Sequence, residues 1–192
     1  MKVRYIVTLI GFLVGINGFS QKEMMLSPNG FVEKAEKTDY IVLDYENISK
    51  SELYKKALVY LKSMYNRPDI VISTVENESI VLNAKTHPIM GDTDLQNYVM
   101  EYNIDIRFRD GALKFTPFIK TIEYTFLDND PAPFYVSNTN SPRDNEVNCL
   151  WMYSPKNNDY FLLNEDLNAK FENWVNLYIS NLNNAIVDRE DW

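Results

Sequence analysis

The chain holds one cysteine, one histidine and six glycines in 192 residues. Each scarcity excludes chemistry. A single cysteine, Cys149, cannot close an internal disulfide. His87 and Cys149 together cannot build the His/Cys sites that hold zinc. The few glycines leave little room for a phosphate-cradling loop, and Gly-x-Ser-x-Gly and His-Glu-x-x-His are both absent. A Cys149–His87 nucleophilic pair is conceivable by residue type. A histidine just before Pro88 reads first as a loop residue, however, and Cys149, beside Leu150, Trp151 and Met152, reads as buried.

Basic residues are also short, 19 against 27 acids, for a net charge of −8. An acidic surface repels phosphate backbones and anionic lipid, so nucleic acid is not an expected partner. Solubility accounts for the charge. Long apolar runs are nearly missing. The longest is the 12-residue stretch Tyr5 to Ile16, well below the roughly 20 residues a bilayer span needs.

That run has a different meaning. Lys2 and Arg4 precede it, and Asn17-Gly18-Phe19-Ser20 follow, with small residues two apart at Gly18 and Ser20. This is the pattern of a cleavable signal peptide over residues 1–20, cut before Gln21. No cysteine stands just after these small residues, so a lipid anchor is not expected. The chain should be exported, periplasmic or secreted, with no integral membrane segment after cleavage. Losing Lys2 and Arg4 moves the net charge from −8 to −10.

What is present is enough apolar and aromatic residue, 45% and 14%, for one sizeable domain. Residues 21–38 read as a polar N-terminal extension with a turn signal at Ser27-Pro28-Asn29-Gly30. Residues 39–192 read as one domain. Asp39 to Tyr45 is a strand by its β-branched and aromatic content. Ser49 and Glu52 form a capping box ahead of a helix to about Tyr65, with Leu53, Ala57, Leu58, Leu61 and Tyr65 in one stripe. Ile70 to Glu76 and Ser79 to Lys85 read as strands around Asn77-Glu78, and residues 86–94 as a loop. Tyr98, Met100, Tyr102, Ile104, Ile106 and Phe108 alternate with Val99, Glu101, Asn103, Asp105, Arg107 and Arg109. That period of two predicts a strand with one buried and one wet face. Asp110-Gly111 predicts a two-residue hairpin, of the type with both residues at positive φ. It puts Leu113, Phe115 and Ile119 inside, Lys114, Thr116 and Lys120 outside. Beyond Pro117 the parity changes, and an edge or a bulge is expected there.

Residues 128–163 form a long insert with four of the eight prolines and seven asparagines, and Val147 to Tyr153 could add a strand. Leu167, Phe171, Trp174, Val175, Tyr178, Leu182 and Ile186 then predict a second helix. The order β-α-β-β-β-β-α implies an α+β two-layer domain, an antiparallel sheet with helices packed on one face.

The Ser49-Lys50-Ser51-Glu52-Leu53-Tyr54 helix start and the hairpin Glu101 to Leu113 (EYNIDIRFRDGAL) resemble the bacterial secreted "domain of unknown function with TBP-like fold". The resemblance covers about residues 39–127. It implies a TBP-like fold and an exported protein, and it supplies no catalytic residues. The likeness to the TATA-binding saddle concerns shape, since fold does not convey function.

Asp128-Asn129-Asp130, near Asp144 and Glu146, lacks the sixth-position glycine of a calcium loop, with Ala132 and Pro133 there instead. No metal or cofactor is expected. On the wet face, Glu101, Asn103, Asp105, Arg107, Lys114 and Lys120 read as a mixed-charge surface. Phe118, Ile122, Tyr124 and Phe126 share its phase, and the insert, with Phe134, Tyr135, Trp151 and Tyr153, is expected to cover them. The candidate interaction surface is therefore Arg107, Arg109, Phe118, Ile122, Tyr124, Phe126, Trp151 and Tyr153. The function expected is a non-enzymatic envelope module that binds a protein or glycan partner. The alternative is a carboxylate-dependent hydrolase of an envelope substrate, with a carboxyl in a concave pocket raised well above its ordinary pKa.

Overall fold

A computed structural model describes residues 22–90, 96–126, 132–137, 150–156 and 159–187. The proposed signal peptide, Cys149, the Asp128-Asn129-Asp130 stretch, Asp144 and Glu146 lie outside them.

The chain opens on a hairpin, β1 (Met24–Ser27) and β2 (Gly30–Glu33). The strand β3 (Ile41–Asp44) and helix α1 (Lys50–Met64) follow. The Ser49 hydroxyl accepts from the Glu52 N–H at 3.3 Å, the first half of the expected capping box. After the short helical turn α2 (Pro68–Val71) come β4 (Ile72–Val75), β5 (Ser79–Met90), β6 (Gln96–Arg109) and β7 (Ala112–Phe126). The insert supplies β8 (Ala132–Ser137), β9 (Leu150–Lys156) and β10 (Asp159–Leu162), and helix α3 (Glu165–Val187) ends the fold.

Eight strands make one sheet in the order β10-β9-β8-β7-β6-β5-β4, with β3 also pairing β7. The predicted inner face is observed residue for residue: Tyr98, Met100, Tyr102, Ile104, Ile106 and Phe108 are all buried. Both long helices pack on that side. Leu53, Ala57 and Leu61 of α1 and Phe171, Val175, Leu182 and Ile186 of α3 fill the layer between, the two-layer α+β arrangement with its helices on one face.

Several boundaries differ, each for a non-local reason. β5 runs on to Met90, past the loop expected at residues 86–94. Tyr98 and Asn97 of β6 supply its partners, and an irregularity between Thr86 and Ile89 absorbs Pro88. Pro68–Val71 is helical rather than part of a strand; Pro68 suits a first helical turn, where its missing N–H costs nothing. β8 and β9 are parallel in an otherwise antiparallel sheet, because the twelve-residue link 138–149 is long enough for a crossover. The hairpin register pairs Arg109 with Ala112 as expected, but only Gly111 takes a positive φ, +71°. Asp110 is held by tertiary contacts instead, its carboxylate accepting from the Lys50 N–H at 2.8 Å, while the Gly111 N–H donates to the Ile48 carbonyl at 2.9 Å.

The extension is structured. β2 pairs one edge of β1, and alternation turns the backbone groups of Met24 and Leu26 to the other edge, toward α3. No strand lies there. Asn168, Glu172 and Asn176, four residues apart on α3, take its place. The Met24 N–H donates to Asn176 Oδ1 at 2.8 Å, and Asn176 Nδ2 donates to the Met24 carbonyl at 2.9 Å. The Leu26 N–H donates to Glu172 Oε1 at 3.0 Å, and the Tyr153 hydroxyl donates to the Leu26 carbonyl at 2.6 Å. Asn168 Nδ2 ties the row together by donating to Glu172 Oε1 at 2.9 Å.

One buried group is left over. The Tyr45 hydroxyl has no hydrogen-bond partner among the described residues, and burial pushes its pKa well above the ordinary phenol value. Tyr45→Phe is therefore expected to stabilise the protein by about 1 kcal/mol, the desolvation cost of an unmade hydrogen bond. Thermal unfolding measures it, and a lower Tm for the variant would mean that the hydroxyl has a partner after all.

Candidate functional site

Among the described residues no helix packs on the outer face of the sheet, and its side chains fall into rows set by the strand register. One row runs Val42 (β3), Lys114 (β7), Arg107 (β6), Ser79 (β5) and Val75 (β4). The next row toward the hairpin holds Asp44, Ala112 and Arg109. In the other direction lie Thr116 with Asp105, then Phe118 with Asn103 and Asn83.

Parity on this face is decided at Lys120. Tyr102 opposes Ile119 and Glu101 opposes Thr121, so Lys120 is the extra residue of a bulge. A shift of one residue exchanges the two faces, and Ile122 and Tyr124 are returned to the inner side. Pro117 lies three residues earlier and needs no bulge. Alternation from the Arg109–Ala112 pair makes Ile104–Pro117 a non-hydrogen-bonded pair, so the missing N–H points away from β6. There β3 pairs only 112–115 and β8 only 122–124, which leaves Pro117 in the gap.

The candidate residues therefore separate. Arg107, Arg109 and Phe118 stand on the outer face, all exposed. Ile122 is a correction: it is buried, opposite Met100. Tyr124 is half-buried, its ring 4.9 Å from that of Tyr98. Phe126 ends β7 opposite Gln96, and its side chain lies outside the described residues. Trp151 pairs in register with Tyr135, and its side chain likewise is not described. Tyr153 is a second correction: it is buried under β1, and burial raises its hydroxyl pKa to about 12. The insert does not cover the row it was expected to cover. Its strands extend the sheet at the β7 edge instead, and Phe118 is 62% exposed.

Most charge on this face is paired. Lys85 bridges Glu101, and that ammonium holds the Glu101 carboxyl below the usual carboxylate range. Asn103 Nδ2 and Lys120 Nζ both donate to Asn83 Oδ1, at 3.0 and 2.7 Å. The exception is the corner near the hairpin. Tyr40, Val42, Arg107, Phe108, Arg109, Leu113 and Lys114 line an open depression of about 270 Å³. Three cations and no carboxylate line it, in a chain that has more acids than bases. Arg107 and Lys114 are direct cross-strand neighbours, an arrangement of like charges that destabilises a sheet. Two contacts offset it. Asp105 Oδ2 accepts from Arg107 Nε at 2.9 Å, and the Lys114 ammonium sits 3.9 Å from the centre of the Tyr40 ring. No described carboxylate pairs with Arg109 or Lys114. Tyr40 and Val42 were not legible as site residues, because β3 reaches this corner only by pairing with β7, a partner far along the chain.

Among the described residues no three His, Cys, Asp or Glu side chains come together as a metal site, and no helix is long and apolar enough to cross a membrane.

Residues 40–125 match the family model described as "Domain of unknown function (DUF4468) with TBP-like fold". Over that stretch the chain is similar to a DUF4468 domain. The matched stretch takes in β3 through nearly all of β7, and with them every residue of the basic corner and Phe118. Two solved structures are similar. A TBP-like protein from Parabacteroides distasonis ATCC 8503 superposes with a TM-score of 0.51 at 16% identity, covering 79% of this chain and 92% of that one. At that identity it shows the fold alone, the TBP-like α+β class. A DUF4468 family protein from Bacteroides ovatus ATCC 8483 gives a TM-score of 0.45 at 10% identity, over 80% and 87%. No curated protein matches the sequence.

Proposed function

We propose that the protein is exported and acts as a non-catalytic binding module of the cell envelope, engaging a protein or glycan partner through the outer face of its DUF4468 sheet. Export is supported by the basic start, the short apolar run and the small residues Gly18 and Ser20. The binding role is carried by one observation. Phe118 is 62% exposed, and its register neighbours on this face, Asn103 and Asn83 with Thr116 and Asp105 in the next row, are polar or charged, so its large apolar side chain gains nothing for the fold there. The rival hydrolase needs a carboxyl raised above its ordinary pKa; Glu101, the carboxylate held by Lys85, is shifted the other way.

Site-specific photo-crosslinking tests the reading. A photoreactive residue at position 118 of the full chain, expressed in its own cells, should give one discrete crosslinked product in the envelope fraction, on protein that begins at Gln21. A probe at Leu177, exposed on the helix side, should not. Equal products at both positions, or none at 118, would remove the outer face as the binding surface. Protein retaining residues 1–20 in the cytoplasm would remove export.

A further inference from the structure

The geometry points to an acidic protein segment as the ligand of the outer face, with its carboxylates in the Arg107–Arg109–Lys114 corner and an apolar residue on Phe118. This rests on the outer face being a binding surface, and goes further by naming the chemistry that the face reads.

The case begins with cost. Register forces Arg107 and Lys114 to be direct neighbours, with Arg109 one row on. Stability alone would place a carboxylate in such a group, as Glu101 is placed against Lys85 a few rows away. Here the lining contains none. Asp44, in the adjoining row, is already 3.8 Å from Lys22. Asp105 uses one oxygen on Arg107 Nε, and its other oxygen is shut from solvent. Asp105 thus steadies Arg107 through Nε and leaves the outer nitrogens of the guanidinium for a ligand. An arginine in that state presents a planar fork that fits a carboxylate.

The corner is also rigid. Gly111 is bound into the fold through its N–H to Ile48 and through its carbonyl, which accepts from the Tyr45 N–H at 2.7 Å. A Cβ at position 111 would meet the Tyr45 carbonyl at 3.3 Å. The hairpin that carries Arg109 is therefore pinned, and a ligand need not order it.

Two features select a peptide over an acidic sugar. Beside the cations, the Tyr40 ring is engaged by the Lys114 ammonium, so the exposed aromatic of the surface is Phe118, away from the charges rather than next to them. Phe118 lies four residues along β7 from Lys114, about 13 Å at the rise of an extended strand. An extended peptide with carboxylates at one end and an apolar side chain about four residues away spans both.

The test titrates ¹⁵N-labelled mature protein with an end-capped hexaglutamate peptide followed by leucine, and with the same peptide in which glutamine replaces glutamate. Saturable shifts are expected at Arg107, Arg109, Lys114 and Phe118 with the glutamate peptide only. Raising ionic strength should weaken them, since exposed charges are screened. The R109Q/K114Q variant, whose other resonances report that it is folded, should bind about tenfold more weakly, having lost two of the three charges. No saturable shift at these residues, or equal affinity in the variant, overturns the proposal. Tighter binding of trigalacturonate at the same residues would show an acidic glycan as the ligand, and equal binding of inorganic phosphate would show a simple anion site. Either result also overturns it. A discrete crosslink at position 118 would still stand in those cases, so the two readings fail separately.

Discussion

Replacing Asn176 by alanine is expected to lower stability by about 2–4 kcal/mol, because it strips hydrogen bonds from two backbone groups at once, each costing about 1–2 kcal/mol when left unmade at this half-buried site. Met24 is buried, and its N–H and carbonyl face α3 with Asn176 as their partner. The loss should be local as well as global. Amide exchange at Met24 and Leu26 should speed up, while Ile104 and Ile106 in the centre of the sheet keep their protection. Asn176→Asp, which keeps an acceptor for the Met24 N–H and loses the donor to its carbonyl, should fall between wild type and alanine. If both variants unfold at the wild-type denaturant midpoint with the Met24 amide still protected, the hairpin is held by apolar packing alone. Phe31 stacked on Trp174 would then carry the attachment.

Phe171→Ala is expected to cost more, about 3–5 kcal/mol, as a large-to-small change at a site that cannot collapse. Phe171 is fully buried on the inner side of α3, between helix and sheet. The denaturant midpoint should fall with the m-value unchanged. Leu177→Ala on the same helix is the control: that residue is 55% exposed, and its truncation should stay within about 0.5 kcal/mol of wild type. Similar losses at the two positions would mean that α3 contributes through helix propensity rather than through its packed face.

These two residues also show what can be read from the chain. Phe171 was legible. It falls on a period of 3.6 with Leu167, Trp174, Val175, Tyr178 and Leu182, and an amphipathic stripe needs no partner to declare itself. Asn176 was not. It reads as a polar residue beside the stripe until β1 is known to lie there, and β1 itself is a four-residue strand in a polar stretch. The candidate surface divided in the same way. Arg107 and Arg109 were placed outside by strict alternation along β6. Ile122 reads as outward from its phase, but one bulged residue, Lys120, reverses parity, and nothing in the local sequence marks Lys120 over the nearby Pro117. Tyr153 reads as a surface aromatic because its hydroxyl partners, Leu26 and Asn168, come from elements distant in the chain.

The sequence by itself determined the kinds of element and their polarity: the capped start of α1 at Ser49, the positive φ of Asn77 between β4 and β5, the buried face of β6, the Arg109–Ala112 hairpin and the stripe of α3. Each is written within a few neighbouring residues, where propensity and periodicity act. Tertiary structure alone decided which strands became neighbours. It set β3 against β7, bringing Tyr40 and Val42 to Arg107 and Lys114. It placed β8 beside the far end of β7 and left Phe118 uncovered. Those pairings join residues tens of positions apart, and the free energy that selects them comes from burying the whole inner face at once.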